Sequence, residues 1–429
     1  MINLLNKINI DTLIIKFVLI FLIFISTCYF YLNLNDLIGA KSYAYNELFI
    51  NYQAGFIRRG LLGEIFWQLN NFFSIKPLFF FSYLFFILYI AQIYLFIKIF
   101  KIYKESYFIY FLIFFSPALI LFPIYEENLY FIKDIIIKLS ILFHVFILIR
   151  IKNKKKESSY LEYLRFIILP ILTISILIHE YQVLYISVHI LLSLSFVKSK
   201  NGILKILKVY SLLLIPIFLM LIFMGNLTQY EYLNLILKKF EIGDLHNQLS
   251  GGFYTAIGGF YKWHFYYFSY SDFIQLLSSL FLSIGVFFFM FHFFIKERIL
   301  KFHNNYQKNY IYFFIPILLS FLLARDHGRN ISLLATHLLA FYGILILDYK
   351  KLNIIKDQFK KKFFVKISLI IFLIFYIFMW RLDQLAGFGV GGKPNIIFKS
   401  SFFAEVIKLI KFLYFYIDLN ILNLPKITL

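Results

Sequence analysis

The strongest constraint on the fold is a succession of apolar stretches of about 14 to 25 residues, separated by short Lys-rich loops, that recurs along the 429-residue chain. Runs of that length suit helices crossing the roughly 30 Å hydrocarbon core of a bilayer. Because 61% of the residues are hydrophobic and only 15% are charged, no room is left for a sizeable soluble domain. The expected fold is all-α, a polytopic transmembrane helical bundle of about 11–12 spans, with residues 1–429 forming one integral domain.

Loop charge orients the spans. Lys7 and Lys16 flank a first crossing at 17–38, read as an uncleaved anchor with a cytoplasmic N-terminus. Further crossings are expected at 78–99, 107–124 and 135–150, and the run Arg150, Lys152, Lys154, Lys155, Lys156, Arg165 fixes a cytoplasmic loop. Residues 166–196 are ambiguous on length alone. Treated as one crossing, they would put Lys296, Arg298, Lys301, Lys308 and all seven Lys from Lys350 to Lys366 outside. Two short helices meeting at His179-Glu180 keep the rule, with the tip in the outer half of the membrane, where irregular backbone must be buried or line a wet cavity. Later crossings are expected at 209–225, 275–295, 310–323, 331–347 and 367–380, and 401–418 suits an interfacial helix as well as a last span. The main external loops are then 39–77, 226–274 and 381–400.

This topology sorts the bases. Eight of the 35 Lys fall outside, against five of the eight Arg: Arg58, Arg59, Arg325, Arg329 and Arg381. A forked donor retained on the side where cations are disfavoured suggests a phosphate or carboxylate target. The net charge of +21 is a topology signal and a contact with anionic lipid headgroups, not a nucleic-acid surface. The single cysteine, Cys28, lies in the first apolar run and excludes a disulfide framework.

The external loops supply the candidate chemistry. In Gly55-Phe56-Ile57-Arg58-Arg59-Gly60-Leu61-Leu62-Gly63-Glu64, the apolar spacing from Ile57 onward predicts an interfacial amphipathic helix near 56–68. Gly60 and Gly63 leave one side open to a phosphate or to another helix, while Arg58 and Arg59 bind that phosphate or simply snorkel to headgroups. In Arg325-Asp326-His327-Gly328-Arg329, a helix would put both Arg on one face, which calls for an anion between them: Glu180, Asp326 or a ligand phosphate. Near Lys133-Asp134, Asp134 and Lys138 stand one turn apart and can neutralise each other, leaving Glu126, Glu127 and Lys133 toward the outer cavity. Gly387-Phe388-Gly389-Val390-Gly391-Gly392-Lys393-Pro394 imitates nucleotide-binding patterns by accident, because Pro394 stands where Ser/Thr is needed and no strand precedes it. The aromatic tract from Phe260 to Phe268 fits an interfacial belt. No His spacing suits a metal and no cofactor is expected, with a divalent ion held by carboxylates left open but unsupported.

Arg and Lys beside Glu, Asp and His at one rim suit transfer from a polyprenyl-(di)phosphate-linked sugar. Arg stabilises the departing phosphate and a carboxylate or His takes the acceptor's proton. The Gly55–Leu61 run, Lys133-Asp134, His179-Glu180 and Asp326-His327-Gly328-Arg329 resemble multispanning proteins of surface-polysaccharide gene clusters, similar in build to O-antigen and capsule repeat-unit polymerases. The resemblance implies an outer-face glycosyltransferase of a bacterial cytoplasmic membrane, with a polyprenyl-linked glycan and other glycan-assembly proteins as partners. Arg58, Arg59, Arg325, Arg329 and Lys133 are the expected phosphate ligands, Glu180 is the general base with His179 beside it, and Asp326, His327, Glu126 and Glu127 support them. In a monosaccharide transferase, Glu47 or Asp36 would be the base. A flippase of lipid-linked glycan and a non-catalytic scaffold are the readings from other classes.

Overall fold

The computed structural model describes residues 10–34, 43–100, 107–125, 130–152, 157–197, 199–223, 225–240, 270–287, 314–323 and 327–347, together with 371, 372 and 376. Among these residues the secondary structure is entirely helical. In chain order the principal helices are α1 (Ile10–Leu34), α2 (Leu61–Phe73), α3 (Pro77–Phe100), α4 (Tyr107–Phe114), α5 (Asp134–Lys152), α6 (Glu157–Ile178), α7 (Gln182–Phe196), α8 (Lys200–Ile222), α9 (Leu227–Leu237), α10 (Tyr270–Leu280), α11 (Ile315–Leu323) and α12 (His327–Leu347). Three of them, α3, α6 and α8, are long and apolar enough to cross a membrane.

Local signals set several boundaries. Pro77 opens α3, where its missing N–H is no loss. Ser199 caps α8 by accepting from the Gly202 N–H at 3.1 Å, and Asn226 and Gln229 form a capping box at α9. Pro170 and Pro216 lie inside apolar helices, where each removes the N–H owed to the carbonyl four residues earlier. Helix α6 absorbs this with a π turn at Leu164–Ile168, and α8 with a break at Leu212-Leu213 just before Leu214.

The expected crossing at 107–124 is corrected on the same physics. Helix α4 stops at Phe114, Ser116-Pro117 turns the chain, and only a four-residue helix follows at Phe122–Tyr125. The expected break at His179-Glu180 is present, since His179 is extended (φ −151°, ψ 114°) between α6 and α7. However, α6 begins at Glu157 and runs 22 residues, so it is not too short to span as expected. Ser175 Oγ donates to Gln182 Oε1 at 2.8 Å near the tip, and Tyr160 donates to Ser193 Oγ at 2.5 Å at the far end. These contacts make α6 and α7 an antiparallel hairpin.

Helix α5 is the hub of the packing. It lies against α3, α6, α7 and α12, while α1 packs on α3. The expected amphipathic helix near 56–68 begins only at Leu61, because Arg59 is in the left-handed region (φ 64°). Its glycines are closed by the protein itself. A Cβ on Gly63 would stand 2.1 Å from the Ile50 carbonyl oxygen, and one on Gly60 would enter the Tyr52 ring. Gly63→Ala must therefore push α2 off the 48–50 backbone. The expected loss is about 1–3 kcal/mol, read as a lower melting temperature of the detergent-solubilised protein.

Candidate functional site: a buried ionic cluster at the helix ends

Five separate segments converge at one end of the helices. They are the short helical turn Glu47–Phe49, the loop carrying Arg58 and Arg59, the entry to α5 at Lys133-Asp134, the hairpin tip His179-Glu180, and the first turn of α12 at Arg329. The Arg58 backbone N–H donates to the Phe223 carbonyl at 2.9 Å, and the Gln229 side chain to the Ala54 carbonyl at 2.9 Å. These two bonds tie the arginine loop to the chain leaving α8.

Arg59 is central. Its guanidinium donates through Nη1 to Glu47 and through Nε and Nη2 to the two oxygens of Glu180, a fork-to-fork pair that a lysine cannot reproduce. Arg58 approaches Glu180 at 3.9 Å. Lys133 Nζ donates to the backbone carbonyls of Glu47 (2.9 Å) and Arg59 (3.4 Å), which braces the strained Arg59 backbone. A second forked pair joins Arg329 to Asp134, with Nε–Oδ2 at 3.0 Å and Nη2–Oδ1 at 2.9 Å. His179 links the two pairs. Its Nδ1 accepts the Tyr181 N–H at 3.3 Å, and its Nε2 lies 3.1 Å from Asp134 Oδ1 and 3.2 Å from Arg329 Nη2. Its Nδ1 also lies 3.7 Å from Glu180 Oε2.

Nearly all of this is buried: Glu47, Arg58, Arg59, Lys133, Asp134, His179 and Arg329 are each at most 8% exposed, and the Glu180 side chain is 15% exposed. Among the described residues, Arg58, Arg59, Lys133 and Arg329 are four cations and Glu47, Asp134 and Glu180 are three carboxylates, so these seven sum to one positive charge. Burial alone would push the Glu47 carboxyl up, but Arg59, then Lys133, His179 and Arg329, outweigh it and hold Glu47 below the usual carboxylate range.

Several expectations are revised by this geometry. The anions facing Arg59 and Arg329 are the chain's own carboxylates. The partner of Arg329 is Asp134, which was expected to pair with Lys138 one turn away. Lys138 instead donates to Ser332 Oγ at 2.7 Å and lies over the Phe122 ring. Lys133 faces the interior rather than an outer cavity. His327 is buried with its ring stacked on Phe321. Arg325, Asp326, Glu126, Glu127 and Asp36 lie outside the described residues, as do Arg381, the Gly387–Pro394 turn, the Phe260–Phe268 tract and segments 381–400 and 401–418. Among the described residues, no group of three or more His, Cys, Asp or Glu is arranged to hold a metal ion.

Asp134 is the residue sequence reasoning undervalued. An acid at the first position of an apolar helix, next to Lys133, was the available signal. The buried His144, His189 and His337 were overlooked altogether, although each interrupts an apolar run. The chain matches no protein-family model, no curated protein and no solved structure.

Asp134→Asn strands the buried Arg329 charge and should cost about 3–5 kcal/mol, whereas Asp134→Leu combined with Arg329→Met should cost less than Asp134→Asn alone. Thermal unfolding of the detergent-solubilised variants checks both, and strictly additive losses would refute the pairing.

Proposed function

We propose that this chain is a polytopic helical protein of a bacterial cytoplasmic membrane whose ionic cluster, at its outer rim, transfers or polymerises a polyprenyl-(di)phosphate-linked glycan. One observation carries this reading: five distant segments gather guanidinium and carboxylate groups into one buried cluster, whose described members sum to one positive charge. Ionisable groups in an apolar surrounding are costly, and they accumulate where an anionic substrate is handled.

The geometry suggests how binding and catalysis are joined. While Arg59 chelates Glu180, that carboxylate is a poor base. An arriving diphosphate competes for the guanidinium, with Arg58 alongside, and releases Glu180 beside the reacting sugar. The acceptor hydroxyl then gives its proton to Glu180 while its oxygen bonds the anomeric carbon, and the bond from that carbon to the phosphate oxygen breaks. The lipid diphosphate leaves with its negative charge on Arg58 and Arg59. Glu47 keeps Arg59 oriented throughout.

Transport of the same lipid-linked anion is the second reading. Its support is specific, because buried ionisable side chains continue inward from the cluster through Lys138, His189 and His144, instead of stopping at the rim.

Gel analysis of the surface glycan separates these ideas. Deletion of the gene and Glu180→Gln should each collapse the ladder to a single repeat unit. Truncation within one repeat, strongest in Glu47→Gln, points to a monosaccharide transferase, and lipid-linked repeats trapped on the cytoplasmic face point to transport. An unchanged glycan in the deletion strain defeats all three.

A further inference from the structure

Behind the ionic cluster, a string of buried polar side chains threads the helix packing, and the proposed transfer chemistry makes no use of it. His144 of α5 and His189 of α7 meet Nδ1 to Nδ1 at 2.9 Å, with their rings nearly parallel. His144 Nε2 is 2.9 Å from the Tyr160 hydroxyl of α6, which donates to Ser193 Oγ at 2.5 Å, and Ser193 Oγ lies 2.9 Å from the Tyr210 hydroxyl of α8. In the other direction His189 Nε2 is 3.4 Å from Ser140 Oγ, whose proton goes to the Ile137 carbonyl (2.8 Å) or Gln182 Oε1 (3.0 Å) and turns to His189 only by leaving them. Six groups from four helices are thus linked, and all are buried.

The Tyr160 end of the string lies far from the hairpin tip. Tyr160 precedes Ile178, at the hairpin tip, by 18 residues of α6, about 27 Å of helix at ~1.5 Å per residue. That is close to the ~30 Å of a hydrocarbon core. Between the cluster and the string stand Lys138, one turn beyond Asp134, and His337 of α12, whose ring lies 6.5 Å from that of His189. His337 donates from Nδ1 to the Leu333 carbonyl at 2.8 Å, and its buried Nε2 has no hydrogen-bond partner among the described residues. An acceptor nitrogen left in this state between a lysine and an imidazole pair is a place for a proton to be received.

The nitrogen-to-nitrogen contact is the informative part. One ring must donate and the other accept, so the two histidines hold complementary tautomers. In a consistent arrangement His189 donates to His144, His144 donates through Nε2 to Tyr160, and Tyr160 donates to Ser193. A proton added at His189 Nε2 then displaces the next at every link. An N–H forms on His144 Nδ1 as the one on His189 Nδ1 breaks, and an O–H forms on Tyr160 as the His144 Nε2–H breaks; the Tyr160 proton passes to Ser193 as the Ser193 O–H turns from the His189 carbonyl (2.9 Å) and gives its proton to Tyr210, whose own proton leaves to water at that end of the helices. One proton is moved, and no link keeps a charge.

We propose that this string is a proton path connecting the ionic cluster with the Tyr160–Tyr210 end of the helices. The proposal is independent of the glycan reading, since flux can persist whether or not the surface glycan changes. The test uses the full chain in phosphatidylethanolamine–phosphatidylglycerol vesicles with a trapped pH dye and a valinomycin-set potassium diffusion potential. Wild-type protein should acidify the lumen faster than protein-free vesicles. His189→Gln and Tyr160→Phe should return the rate to that of protein-free vesicles while keeping the wild-type elution volume and melting temperature. A glutamine still hydrogen-bonds but does not carry protons, so a purely structural role would leave the flux intact. If His189→Gln fails to fold, Tyr210→Phe at the end of the string replaces it in the same assay. Wild-type vesicles as proton-tight as empty ones, or folded variants conducting like the wild type, would overturn the proposal.

Discussion

A single buried guanidinium, that of Arg59, holds Glu47 and Glu180 together, and the arrangement of the surrounding helices depends on it. Each of these charges would be costly to bury alone, because the loss of hydration exceeds any one contact made in return. Bridged, they fix the loop before α2 to the tip of the α6–α7 hairpin. Lys133 then pins the carbonyls of Glu47 and Arg59, and His179 carries the connection on to Asp134 and Arg329. The non-glycine left-handed backbone at Arg59 is a local cost accepted to aim the fork.

Much of the framework was legible in the sequence, because hydrophobic run length and proline position act locally. Pro77, the start of α5 at Asp134 and the break at His179-Glu180 are all written in neighbouring residues. The 107–124 run misled because hydropathy counts Pro117 as one residue among many apolar ones, whereas backbone hydrogen bonding treats it as a stop. Helix α2 starts late for a comparable reason: the apolar spacing from Ile57 is genuine, but the conformation at Arg59 is imposed by carboxylates elsewhere in the chain. Periodicity cannot see a partner that is 121 residues away. The same limit assigned Asp134 to Lys138, its neighbour on the helix, when its partner Arg329 is 195 residues distant.

The cluster and the histidine string are different solutions to burying polar atoms. In the cluster, opposite charges compensate each other in forked pairs, which gives rigidity and a preference for arginine over lysine. In the string, neutral groups alternate as donor and acceptor, which leaves a set of nearly equivalent hydrogen-bond directions. The first arrangement suits recognition of an anion, and the second suits passage of a proton that leaves no member charged. Helix α5 contributes to both, with Asp134 and Lys138 near its start and Ser140 and His144 farther along.

This shared helix bears on how the cluster can work. In the proposed transfer, a site whose arginines already hold carboxylates would discriminate by exchange: an anion would have to compete with Glu180 for Arg59, which puts a monoanion with one available oxygen at a disadvantage against a phosphate that offers two. The released carboxylate is 15% exposed, more open than its neighbours, so it is also the member best placed to reach a substrate. Displacing it removes one negative charge from the contacts of Arg59 at the moment a more highly charged group arrives. Glu47, buried and held ionised, would keep the guanidinium in place during the proposed exchange. Under the proposed reaction, Glu47 is therefore the fixed side of the clamp and Glu180 the exchangeable side, a division that follows from their difference in exposure.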